Sequence, residues 1–83
     1  MSLSEEVQYN EYKERIEQAY YLTLVDIIMG VTLEEIEGEI YVYEEEEMYE
    51  YCAGILRALE FSEHKTYNEI QKEILTLKHK YES

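Results

Sequence analysis

Between Ile16 and Leu56 the chain contains no lysine and no arginine. It has no proline or tryptophan anywhere, a single phenylalanine, a single cysteine, and glycine only at 30, 38 and 54. Each shortage excludes something. Without proline and with so little glycine, a turn-rich β fold lacks its punctuation, and helices joined by short links remain. One cysteine rules out an intramolecular disulfide, so nothing demands an oxidising compartment. No apolar run approaches the roughly 18 residues that cross a bilayer. The N-terminus has no basic region followed by an apolar stretch, so no signal peptide is expected. The expected location is the cytoplasm, that of the host cell if the protein is viral.

The chain has 83 residues, which is one domain, residues 1–83, with no room for a second core. A domain this small buries only somewhat over 60% of its unfolded surface, so dimerisation is an ordinary way to gain buried area. An apolar fraction of 46% argues against disorder despite a net charge of −13. That charge is localised. Residues 1–15 carry −2, residues 16–56 carry −11, and residues 57–83 are neutral. A solubility device would spread its charge; this chain concentrates it.

The concentration peaks over residues 34–51, with nine glutamates, four tyrosines and no base. Like charges at i,i+4 on a helix repel by a few tenths of a kcal/mol per pair. They lie within the Debye length of about 8 Å at physiological salt, so solvent ions leave much of that repulsion in place. The economical explanation is a partner that supplies the positive charge. Nucleic acid and anionic membrane are excluded as direct ligands by the same repulsion.

The pattern predicts an all-α fold, a small three- to four-helix bundle. Three capping boxes mark helix starts: Ser2 with Glu5, Thr32 with Glu35, and Thr66 with Glu69. The first helix runs from about Leu3 to Met29, with Tyr9, Tyr12, Ile16, Ala19, Tyr20, Thr23, Leu24, Ile27 and Ile28 in one stripe and Gly30 as the stop. The second begins after Thr32 with Leu33, Ile36, Ile40 and Tyr43. A fresh stripe of Met48, Tyr51, Cys52, Ile55 and Leu59 starts about a hundred degrees around, so the middle helix is expected to kink or break near residues 43–47. The alternative is a local strand at Ile40–Tyr43, where β-propensity is high. The last helix shows Tyr67, Ile70, Ile74, Leu77 and Tyr81.

Catalysis finds little support. There is no phosphate loop, HExxH or nucleophile elbow. His64 and His79 sit among polar residues and read as surface. Glu60 and His64 stand four apart, but neither spacing nor number matches a di-iron bundle. No Asp-x-Asp-x-Asp-Gly loop is present for calcium. No enzymatic activity, catalytic residue, metal or cofactor is expected.

The remaining chemistry is recognition. Glutamates at i,i+3 or i,i+4 stand about 5–6 Å apart on a helix, close to the spacing of phosphates along a strand. Rows such as Glu35/Glu39 and Glu46/Glu50 could present carboxylates to lysines and arginines built for a phosphate backbone. Ten tyrosines against one phenylalanine favour rings with one wet edge. Arginine both stacks on rings and pairs with carboxylates. The expected partner-binding set is Glu34, Glu35, Glu37, Glu39, Glu44, Glu45, Glu46, Glu47 and Glu50 with Tyr41, Tyr43 and Tyr49.

Through Glu34–Glu50 and the overall charge, the chain resembles the acidic DNA-mimic proteins of phages and mobile elements. That resemblance implies a stoichiometric inhibitor, often dimeric, that occupies the DNA site of a basic host protein. Histone-like nucleoid proteins such as HU come first among possible targets, with repair glycosylases, restriction or CRISPR effectors and RNA polymerase behind. The segment Gly30–Ile36 also looks like the opening of a DNA-binding helix-turn-helix, but the residues that follow are acidic where recognition helices are basic. The competing reading is a helical adaptor that docks through its apolar seams, with the acids serving solubility alone.

Overall fold

The computed structural model describes residues 3–82, with side chains over residues 8–80. Four helices make up the architecture: α1 (Leu3–Ile28), α2 (Leu33–Glu45), α3 (Tyr49–Glu63) and α4 (Tyr67–Glu82). No strand occurs among the described residues, and Ile40–Tyr43 lies within α2. A strand there would need a pairing partner, whereas a helix starting at Thr32 satisfies its own backbone and buries Ile36.

Both capping boxes that fall on described residues form. The Glu35 amide donates to Thr32 Oγ1 at 3.2 Å, and the Glu35 carboxylate accepts from the Thr32 amide at 3.3 Å. Thr66 and Glu69 repeat the arrangement at 3.2 and 3.1 Å. The Thr66 amide and hydroxyl hold the Glu69 carboxyl below its ordinary pKa. The Ser2–Glu5 box lies outside the described residues.

Two helices end in the same way with different residues. After α1, the Val31 amide donates to Asp26 O at 3.0 Å and the Gly30 amide to Ile27 O at 3.2 Å, with Gly30 at φ 91°. After α2, the Met48 amide donates to Tyr43 O at 2.8 Å and the Glu47 amide to Glu44 O at 3.1 Å, with Glu47 at φ 59°. Both are Schellman motifs, which favour glycine at the left-handed position. Glu47 adopts that conformation against a steric cost of about 1–2 kcal/mol. Glu47→Gly is therefore expected to raise stability by about 1 kcal/mol after the flexibility of glycine in the unfolded chain is counted. A urea midpoint that fails to rise would contradict this account of the turn.

The packing centres on α1 against α3, with α2 on α3 and α4 on α1. Residue pairings give the directions. Arg15 meets Glu50 and Tyr20 meets Phe61, so α1 and α3 run parallel. Glu73 meets Tyr20 and Lys80 meets Glu17, so α4 is antiparallel to α1. Ile40 meets Cys52 and Tyr43 meets Tyr51, so α2 and α3 form an antiparallel hairpin. The principal extents are 42 × 34 × 19 Å, a slab rather than a sphere.

Tyr20, Leu24, Ala58, Ile70 and Leu77 form the core, with Ile27, Ile28, Phe61 and Ile74 packed against it. At the centre of the α1–α3 crossing Gly54 lets the backbones touch. A Cβ there would collide with the carbonyl oxygen of Ile16 and lie 2.6 Å from Ala19 Cβ. The Tyr20 ring is buried beneath Arg57, whose guanidinium carbon is 4.7 Å from the ring centre. Its hydroxyl donates to Glu73 at 3.1 Å. Burial, reinforced by the Glu73 charge and hydrogen bond and opposed by Arg57, pushes its pKa up to about 12.

The seam foreseen for α1 is only partly covered. From Ile16 onward α3 and α4 cover it, but Tyr9 and Tyr12 are exposed, and Lys13 Nζ sits 4.7 Å over the Tyr9 ring. Twenty-six residues span about 39 Å at 1.5 Å each, while the helices packed on α1 have fifteen and sixteen residues. The outer turns outrun them.

A candidate partner-binding face on α2

The position of each glutamate on α2 follows from what the helix buries. Ile36 is fully buried, and Ile40 and Tyr43 are half-buried. At about 100° per residue, those three define the inward line. Glu37 and Glu44 then fall on one flank, Glu35 and Glu39 on the other, and Glu34 and Glu45 on the back. All six are exposed. The carboxylates wrap the outward side of the helix rather than forming a single line. The continuous row is Glu34, Glu37, Tyr41, Glu44, spaced three, four and three residues apart, with Glu45 beside its end.

Glu46 and Glu47 continue the charge into the turn, both exposed, with Glu46 as the C-cap of α2. The last turns of α1, α2 and α3 hold no base, whereas α4 ends with His79 and Lys80. A helix C-terminus carries roughly half a negative charge. At α2 this adds to four consecutive carboxylates, and no described residue forms an ion pair with any of them.

Three members of the expected set sit differently from the rest. Glu50 belongs to α3 and accepts a 3.0 Å hydrogen bond from Arg15 Nε. It is thus neutralised within the chain and makes no row with Glu46, which lies on the far side of the turn. Tyr43 stacks on Tyr51 with ring centres 5.2 Å apart and planes inclined by 25°, so its ring joins α2 to α3. Tyr49, at the start of α3, is 57% exposed, and Tyr41 is 69% exposed. Tyr41 is the ring of this set that is both on α2 and exposed, with glutamates on both sides along the helix.

On the opposite flank Glu39 approaches Asp26 of α1. Burial lifts its carboxyl above the ordinary value, and the charges of Asp26 and Glu35 lift it further. A raised carboxylate pKa means that this corner is least favourable once ionised, and the repulsion is relieved as pH falls through the folded value. Beneath α2, the Cys52 thiol donates to Ile40 O at 3.5 Å.

Sequence reasoning missed the role of Arg15. It is the last base before the acidic stretch, but its pairing with Glu50 spans 35 positions and two helices. It placed Leu33 in the apolar stripe of α2, where the side chain is exposed at the first turn, and it passed over Val42, which is also exposed among the acids.

Other chemistry finds no assembled centre. Among the described residues no three His, Cys, Asp or Glu side chains are grouped to hold a metal. His64 and His79 are exposed. No described helix is long and apolar enough to cross a membrane. No protein-family model, curated protein or solved structure matches the chain.

Proposed function

We propose that the protein is a non-enzymatic inhibitor that mimics nucleic acid. Its central glutamates occupy the phosphate-binding surface of a basic DNA-binding protein of the host cell and block DNA binding. A histone-like nucleoid protein such as HU is the first target to test, and the inhibitor acts as a homodimer in the cytoplasm. One observation carries this reading. Glu34, Glu35, Glu37, Glu39 and Glu44–Glu47 are all exposed and have no ion pair with any described residue, while Arg15, Lys65 and Lys80 are engaged with Glu50, Glu69 and Glu17. The protein's own cations do not answer that surface, so a cationic partner gains Coulomb energy there without first breaking an internal pair.

The competing reading, an adaptor docking through apolar side chains, draws on Leu22, Met29, Leu33, Leu56 and Leu75, all exposed. Replacing Glu44, Glu45, Glu46 and Glu47 together with glutamine separates the two. All four side chains are exposed, so the fold should persist. Mimicry predicts that affinity for HU or another basic DNA-binding protein, measured by calorimetry, falls at least about tenfold. It also predicts steep weakening of the wild-type complex with added salt and displacement by duplex DNA. Binding indifferent to salt, or simultaneous with DNA, would exclude mimicry.

A further inference from the structure

Three features of α2 converge on one flank. Tyr41 is its most exposed ring and makes no hydrogen bond or ring contact with a described side chain, with Glu37 four residues before it and Glu44 and Glu45 three and four after. Side chains at those separations are neighbours on a helix, about 5–6 Å apart at Cβ. The flank also ends at the negative pole of α2, where the last turn contains no base.

Resting on the nucleic-acid-mimic reading above, we infer that this flank is an arginine-reading strip, docking an arginine-bearing basic segment of the partner protein. Glu34, Glu37, Glu44 and Glu45 supply the complementary charge, and Tyr41 supplies the selectivity. A guanidinium lies flat on an aromatic face while its edge donates two parallel hydrogen bonds to a carboxylate. A lysine ammonium is a strongly hydrated point charge and cannot do both at once. Carboxylates alone would accept either base. The Glu35/Glu39 flank differs: it carries Val42 in place of an aromatic ring, and the Asp26 charge acts on Glu39 there.

The probes are nona-arginine and nona-lysine peptides, titrated by fluorescence anisotropy against the full chain and its variants. At about 50 mM salt, where screening is modest, wild type is expected to bind the arginine peptide roughly fivefold more tightly than the lysine peptide. Tyr41→Ala is expected to reduce that ratio below about twofold while leaving lysine-peptide affinity nearly unchanged. The double variant Glu35→Gln/Glu39→Gln should weaken both peptides alike and keep the ratio. Circular dichroism checks that each variant remains helical, as substitutions at exposed positions should.

Equal affinity of wild type for the two peptides overturns the arginine strip but leaves charge mimicry standing, provided that both peptides are released by salt. A ratio that survives Tyr41→Ala, or that disappears in Glu35→Gln/Glu39→Gln, overturns the assignment to this flank. Failure of both peptides to bind overturns both the strip and the mimic reading.

Discussion

Gly54→Ala should destabilise the protein by about 2–3 kcal/mol, although alanine is the better helix former by about 1 kcal/mol. Position 54 lies in the middle of α3, where propensity alone would favour the substitution. The added methyl, however, meets the Ile16 carbonyl oxygen, Ala19 Cβ at 2.6 Å and Tyr20 N at 2.9 Å. Two of those three atoms are backbone, so no rotamer change relieves the clash and the helices must separate. Separation of α1 from α3 opens the largest packed surface in the molecule. Gly38 provides the control. It is also helical, but a Cβ there meets nothing within 4 Å. Gly38→Ala should therefore stabilise by up to about 1 kcal/mol. Opposite shifts in urea midpoint for the same chemical change establish that the crossing, not helix propensity, sets the sign. If both variants gain stability, the close approach of α1 and α3 is wrong.

Leu24→Ala should cost about 3–4 kcal/mol, close to the centre of the range for fully buried leucines. Leu24 is 0% exposed and belongs to the cluster that joins α1 to Ala58 of α3 and to Ile70 and Leu77 of α4. Those neighbours stand on two separate helices, so collapse into the void is resisted from both sides. A domain of this size has a total stability of roughly 4–12 kcal/mol, so the loss is a large fraction of the whole. Thermal unfolding is the direct check, since each kcal/mol moves the midpoint of a small domain by about 4–8 °C. A shift of only a few degrees would mean that the α1–α4 contact contributes little and that α4 is a loosely attached helix.

The helices were legible because their signals are local. Thr32 with Glu35 and Thr66 with Glu69 mark starts within four residues, and Gly30 marks an end within one. The end of α2 was harder. Its Schellman turn has the hydrogen bonds of the one after α1, but Glu47 occupies the position where glycine would have announced it. Only the rotation of the apolar stripe between Tyr43 and Met48 hinted at a change there. Features that depend on two helices meeting were out of reach. The stripe through Tyr9 and Tyr12 has the same period as its buried continuation, and nothing in that period records where α3 and α4 stop. Tyr43 and Tyr41 are equivalent by composition, yet they are separated by 200° around α2, which turns one ring onto Tyr51 and the other to solvent. Glu50 likewise became a member of an internal pair through Arg15, which is remote in sequence.

The sulfhydryl beneath α2 has a practical consequence. Cys52 is buried, its thiol engages the Ile40 carbonyl, and burial raises its pKa, with Glu44 and Glu50 acting in the same direction. Thiolate is the reactive form, so slow reaction of the folded protein with maleimides at neutral pH is the expected outcome. The molecule is thus a ready-made blank for labelling: a cysteine introduced at an exposed site such as Tyr49 becomes its sole fast-reacting nucleophile, and a dye can be attached there without first engineering away the native sulfur.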